Sequence, residues 1–363
     1  MHLRAHSFVF VILLTSLPLA EAENVTWLSN VQQRPANPPT AGLGKLAPLL
    51  NDGQGRAITT REGWERQRQT LRAAWMKFLG PMPDPRPASK YEVLHTETDD
   101  KVRRELIRYE CEPKVFVEAY LLRPTDITPG QRRAGIVALH PTTKSTIDET
   151  AGVQGPTSKA LGDRLAREGF VVICPRCFLW QDVDDINAAV ARHRERHPET
   201  LGMAKMLYDA MRAVDILTAL PEVDPKRIGA VGHSLGAKEV LYLMAFDERV
   251  AAGVASEGGL GFRSTNWDAP WYLGPAIRDE EFPLNHHQLL ALIAPRPLLI
   301  LGGESGPGAA DGDRSWPLID AALPVWRLYG EPPRLGLLNH HEGHSIPPKA
   351  AAALSEWLTT YTK

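Results

Sequence analysis

Cysteine is scarce in this chain: its 363 residues include three, Cys111, Cys174 and Cys177. An odd and small number cannot close a disulfide framework, so stability must come from a buried core, which this length permits. Cys174-Pro175-Arg176-Cys177 has the CxxC spacing of redox centres. A reactive thiol of that kind opens a helix, whereas Cys174 ends an apolar run over 170–173 that reads as a buried strand. No second pair exists to complete a zinc site. Buried thiols or one local disulfide are expected, with neither a metal nor an organic cofactor.

Charge imbalance is also missing. The formal net charge is -2 and no basic run occurs, which removes the concentrated basic face that nucleic acid or an anionic membrane would need. Long apolar stretches are limited to one, over 8–19, preceded by Arg4 and followed by Ala20-Glu21-Ala22. It falls short of the roughly 20 residues that span a bilayer. A basic residue, an apolar run and a small-residue site in that order read as a secretory signal peptide over 1–22, cleaved to leave a soluble, secreted or periplasmic protein with no membrane partner.

The rest divides into an N-terminal extension, 23–88, and one large domain, 89–363. Residues 24–58 are rich in Pro, Gly and Asn without a period, a loosely packed lead-in. A helix then starts at Thr59, three residues before Glu62 in capping-box spacing, and runs to Leu79, where Gly80-Pro81 stops it. Trp64, Leu71, Trp75 and Phe78 share one of its faces and are expected to pack on a sheet. Runs over 91–96, 102–111 and 115–122 are spaced as consecutive antiparallel strands. Beyond them, short apolar runs at 135–139, 170–174, 228–231, 250–255, 297–301 and 335–338 alternate with helical patterns, the last over 348–361. Continuous apolar strands separated by helices mean an α/β fold with a mostly parallel sheet covered on both faces.

The segment Val231-Gly232-His233-Ser234-Leu235-Gly236 ends a strand on G-x-S-x-G and turns into a helical pattern over 237–246. That is a nucleophile elbow, in which the two glycines avoid clashes and Ser234 stands exposed at a helix N-terminus. The free N–H of Leu235 can there stabilise an oxyanion. A serine hydroxyl needs a base. Of twelve histidines, His340, His341 and His344 lie in the loop between the last strand and the final helix. His344 is the candidate base because Gly343 frees the loop beside it, with His340 and His341 as rivals. His341-Glu342-Gly343-His344 lacks the HExxH spacing of a metal site. His286 and His287, ahead of the strand at 297, read as structural.

Two carboxylates compete to orient the histidine. Asp311 comes first, because it sits a little ahead of the helix that starts at Trp316, while nearby Asp313 reads as that helix's cap. Glu257, directly after the strand at 250–255, is the alternative. A second oxyanion donor belongs to the loop His140-Pro141-Thr142-Thr143. Pro141 has no N–H, so the amide of Thr142 or Thr143 must serve, with His140 shaping the loop.

With these residues in hand, the chain resembles the α/β-hydrolases over about 135–361. It looks like the bacterial acetyl xylan esterase and dienelactone hydrolase group through Val223-Asp224-Pro225 and Arg227-Ile228-Gly229. It is also similar to glucuronoyl esterases, through Leu292-Ile293-Ala294-Pro295-Arg296-Pro297, Lys238 four residues after the serine, Glu257, and Trp271 in a lid-like loop. That resemblance implies a sugar-contacting role for Lys238 and makes Glu257 able to serve as the acid. Leu235 departs from it, standing where that family carries an arginine beside the oxyanion. Trp267 and Trp271 lie in a loop between strands, where rings form either a pocket wall or core. The expected function is hydrolysis of a small-molecule or polysaccharide ester, probed against two alternatives. One is a prolyl oligopeptidase-like peptidase, for which the propeller domain is missing, and the other is a binding protein on a hydrolase scaffold.

Overall fold

The computed structural model describes residues 23–40, 42–183 and 185–362; the signal segment 1–22 lies outside them. Helix α1 (Arg61–Leu79) leads into the meander β1 (Tyr91–Thr98), β2 (Val102–Glu112) and β3 (Val115–Pro124). Then come β4 (Arg133–Leu139), α2 (Ile147–Thr150), α3 (Leu161–Arg167), β5 (Val171–Pro175), α4 (Ile186–Arg196) and α5 (Gly202–Ala219). The C-terminal half runs β6 (Val223–His233), α6 (Leu235–Phe246), β7 (Val250–Ser256), α7 (His286–Ile293), β8 (Leu298–Gly302), α8 (Trp316–Arg327), β9 (Leu335–Asn339) and α9 (Pro348–Tyr361).

All nine strands join one sheet in the order β1-β2-β3-β5-β4-β6-β7-β8-β9. The first three pair antiparallel, β3 meets β5 antiparallel, and the remaining pairs are parallel. Alternation along each strand builds two cores. Val137, Leu139, Ala230, Leu298 and Ile300 face one side, with helices α5 to α8. Ile136, Ala138, Val231, Leu299 and Leu301 face the other, with α3 and α9. On α9, Leu354, Trp357 and Leu358 are fully buried, and each such side chain contributes about 1.5–3 kcal/mol by leaving water.

Several expectations change in detail. Thr60, not Thr59, caps α1, accepting the Gly63 N–H at 3.2 Å. The apolar stripe of α1 packs on helices and not on the sheet: Trp75 stacks on His286 of α7 and meets Tyr242 of α6 edge-on. The lead-in is fastened down, because Val25, Leu28 and Val31 are buried in the α9-side core, and Gly336 of β9 lacks a Cβ where Val31 sits. Asp313 caps nothing; its Oδ1 accepts from Asn339 Nδ2 at 2.9 Å, tying β9 to the preceding loop. The three cysteines are free and buried, and burial pushes the Cys111 thiol up to about 12.

Candidate active site

The strand β6 delivers Ser234 to the top of the sheet beside the C-terminal ends of β4 and β7. Its N–H donates to Ser256 O at 2.8 Å, and its backbone is held at φ 58. A non-glycine residue in that conformation costs about 1–3 kcal/mol and persists only where the surroundings impose it. Those surroundings are visible: a Cβ on Gly232 would overlap the Gly236 carbonyl, and a Cβ on Gly236 would overlap Leu139 O. The second approach brings the end of β4, and with it the loop that follows, against the start of α6. Ser234 makes no capping bond with its hydroxyl, so the side chain is not committed to the helix. The first amides of α6, beginning with Leu235, have no preceding helical carbonyl to donate to.

The loop after β4 is anchored by His140. The Nδ1–H of this buried ring donates to Pro141 O at 2.7 Å, and Nε2 accepts the Cys177 N–H at 3.0 Å. Burial lowers its pKa to about 4, so the ring is neutral and the tautomer fixed. Thr142 is exposed beyond it, with its side chain beside the Tyr272 hydroxyl.

His344 lies across from the elbow, its ring centroid 4.7 Å from that of His233, the neighbour of Ser234. His344 is about a third exposed, and its Nδ1 faces Glu257 Oε2 at 3.8 Å. Glu257 follows β7 at φ 58 and is fully buried. Its Oε1 accepts from Gly303 N, and its Oε2 from Ala310 N at 2.8 Å and Asp311 N at 3.4 Å. Three amides thus compensate the buried carboxylate and aim it.

Asp311, the carboxylate put first from sequence, is turned elsewhere. It accepts the N–H groups of Gly259 and Leu260 at 2.8 and 2.9 Å and the Ser315 hydroxyl. Burial raises its pKa, opposed by these three hydrogen bonds. It braces the loop that leaves Glu257, whose own side chain is the one that approaches the His344 imidazole.

His340 was weighed from sequence only as a rival base. Its Nε2 lies 3.4 Å from Glu257 Oε1, and its Nδ1 accepts the Glu342 N–H at 3.2 Å. Among the described residues neither His340 Nε2 nor His344 Nδ1 has a hydrogen-bond partner, so both rings approach Glu257 without bonding it. Glu257 therefore sits between two imidazoles, four residues apart in one loop. His341 is exposed at φ 58 and its N–H bonds Asn339.

Lys238 is one turn along α6 and nearly buried. Its Nζ bonds Thr265 Oγ1 and sits 3.9 Å above the Trp267 ring centroid and 5.0 Å from that of Tyr272. Trp267 is itself buried, with Nε1–H donating to Gly259 O at 2.6 Å, whereas Trp271 is half-buried. Thr265 carries no motif that sequence could have flagged. His286 bridges Tyr242 and Leu260 O inside the core.

The sheet order, the elbow at the end of β6 and the loop histidine after β9 define an α/β-hydrolase fold. Residues 119–293 match the dienelactone hydrolase family. A 4-O-methyl-glucuronoyl methylesterase from Sodiomyces alcalophilus is 28% identical over 125 residues, 27% of this chain and 25% of the relative. The chain thus spans about a quarter of that relative's length. A glucuronoyl esterase from Solibacter usitatus superposes with a TM-score of 0.69 at 18% identity, covering 90% of this chain and 100% of the other. A putative acetyl xylan esterase from Bacteroides fragilis NCTC 9343 does so with a TM-score of 0.59 at 15% identity, covering 77% and 76%. Among the described residues no helix is long and apolar enough to cross a membrane.

Proposed function

We propose that this chain is a secreted serine carboxylic-ester hydrolase acting on carbohydrate esters through an acyl-enzyme. The observation that carries the reading is the buried Glu257 carboxylate facing His344 Nδ1 at 3.8 Å, with that ring against the residue next to Ser234. His344 takes the Ser234 proton as Oγ attacks the ester carbonyl, and Glu257 stabilises the imidazolium that results. The developing oxyanion is held by the amides of Leu235 and of Thr142 in the loop fixed by His140. Because Leu235 brings no cation, that stabilisation comes from backbone dipoles and the start of α6. The alcohol leaves with the proton from His344, and water attacks the acyl-enzyme by the same steps in reverse.

Carbohydrate esters are the substrate class that the relatives' names support, with Lys238 and Trp271 as the sugar-facing candidates. Cleavage after Ala22 belongs to the same proposal and is read by sequencing the N-terminus of exported protein. The test of the chemistry compares the parent with Ser234→Ala on p-nitrophenyl acetate, acetylated xylan and a glucuronate methyl ester. A fall of at least about 10³-fold in kcat/KM is expected on every ester turned over. Retention of most activity by Ser234→Ala overturns the reading.

A further inference from the structure

His344 is loosely held for a residue that must meet Ser234 in one orientation. Its side chain is about a third exposed, and its Nδ1 has no hydrogen-bond partner among the described residues, with the Glu257 carboxylate 3.8 Å away. The backbone secures the root of the side chain. The His344 N–H donates to Pro307 O at 3.3 Å, and Gly308 passes so near that a Cβ there would come within 3.1 Å of the His344 Cβ. These contacts leave the ring itself free to turn about its two side-chain bonds.

The ring packs on His233. Strand alternation explains why: Val231 faces the core beneath α9, so His233, at the end of β6, points to the same side. The loop that precedes α9 brings His344 to this side, and the two ring centroids lie 4.7 Å apart with the planes inclined by 46°. On β7, Ser256 is the register partner of His233. The Ser256 hydroxyl and His233 Nδ1 share a hydrogen bond of 3.1 Å, and both residues are buried. Ser256 O accepts the Ser234 N–H, and Glu257 follows Ser256 in the chain. One imidazole is therefore next to the nucleophile in sequence, bonded to the residue before the acid, and packed on the base.

The bond to Ser256 engages one edge of His233, and an asparagine could make it. What an asparagine lacks is the ring that His344 packs against. That ring is also uncharged. Burial lowers its pKa to about 3, and His344, Lys159 and His340, the titratable groups around it, act in the same direction. When His344 takes the Ser234 proton, the imidazolium has a neutral π-system beside it, within the roughly 6 Å reach of a cation–π contact, in place of a second cation.

We infer that His233 is a positioning residue for the base: its face restricts the His344 ring to the orientation that meets Ser234 and Glu257, and stabilises that ring once it is protonated. The inference rests on the serine-esterase reading and adds to it a position that the G-x-S-x-G spacing leaves open.

The experiment measures p-nitrophenyl acetate hydrolysis and the rate of fluorophosphonate labelling of Ser234 in the full chain and in His233→Ala, His233→Asn and His233→Phe, with thermal midpoints beside them. Ala removes both contacts, Asn keeps a polar atom for Ser256 without the ring, and Phe keeps a ring without the polar atom. Losses of about tenfold in kcat and in labelling rate are expected for Ala and Asn, with KM within about twofold. Phe should recover most of that loss, although it leaves the Ser256 hydroxyl unpaired and lowers the thermal midpoint. A merely structural role reverses the order, with activity following the midpoint and Asn above Phe. Parent-like kcat in a folded Ala or Asn variant, or activity restored by Asn and not by a folded Phe variant, overturns the inference. Asn is smaller than His and introduces no clash, so the comparison stands where Phe fails to fold. Labelling of the parent separates this inference from the reading beneath it. Equal labelling rates in parent and variants remove only the role of His233, whereas a parent that hydrolyses no ester and takes no label removes the base and the inference together.

Discussion

Glu257 Oε2 lies 3.8 Å from His344 Nδ1, while Asp311, whose own N–H is one of the three that cradle Glu257, directs both of its carboxylate oxygens to Gly259, Leu260 and Ser315. The two buried carboxylates thus face different partners, one an imidazole and one a loop.

Glu257→Gln keeps the shape and hydrogen-bonding length but removes the charge that an imidazolium needs. A loss of about 10²–10⁴-fold in kcat is expected, together with a lower thermal midpoint, because the new NH2 opposes at least one of the three N–H donors. Asp311→Asn exchanges an acceptor pair for one acceptor and one donor against two N–H groups. It should lower the thermal midpoint while leaving kcat within about tenfold. The reverse pattern in steady-state kinetics would return the acid's role to Asp311.

His340→Ala removes a ring whose Nε2 lies 3.4 Å from Glu257 Oε1. Its role is to position the carboxylate, whose other oxygen faces His344. A fall in kcat of about tenfold is expected with KM little changed, together with a shifted acidic limb of the pH–rate profile. His340→Gln, which can still donate, should recover part of it. A drop in thermal midpoint with an unaltered profile marks His340 as merely structural.

Strain at the elbow gives a prediction in the opposite direction. Ser234 is held at φ 58, a conformation glycine adopts freely, so Ser234→Gly should be inactive yet more stable by about 1 kcal/mol in denaturant unfolding. Gly232→Ala inserts a methyl into the Gly236 carbonyl and should cost at least about 3 kcal/mol.

Lys238 sets a pH dependence of stability. Burial lowers its pKa from 10.5 to about 7, with Asp311 opposing, and His286 faces it as a second titratable ring. Between those two values the unfolded chain holds the proton that the folded chain has released, so stability rises with pH from about 7 upward. Below about 7 both states are protonated and the buried ammonium is present at full cost, tempered by the Trp267 face. Lys238→Met should flatten the rise between about pH 7 and 9 and exceed the parent's thermal midpoint near pH 6. A parallel pair of stability curves contradicts this.

What could be read from the sequence was local. Apolar runs such as Ile136 to Leu139 and Leu298 to Leu301 announce buried strands because both sheet faces are covered, and Gly232 and Gly236 announce the elbow because no side chain fits there. Helix α4 was missed, since its sequence is polar and arginine-rich and it buries only Ala189, Val190 and His193. The stripe on α1 told that a face was buried and not that its partners were α6 and α7. The acid was illegible for a related reason. Glu257 and Asp311 both follow strands at the same end of the sheet, and which one meets His344 depends on how two distant loops fold over each other. His340 gained its meaning only once Glu257 was seen between it and His344.

The most direct measurement is mass spectrometry of the intact protein and its peptides after exposure to a fluorophosphonate. One adduct per chain is predicted, on the peptide containing Ser234, absent in Ser234→Ala and formed far more slowly in His344→Ala and Glu257→Gln. A folded protein that takes no adduct, or takes it on another residue with the Ser234 peptide untouched, contradicts the account.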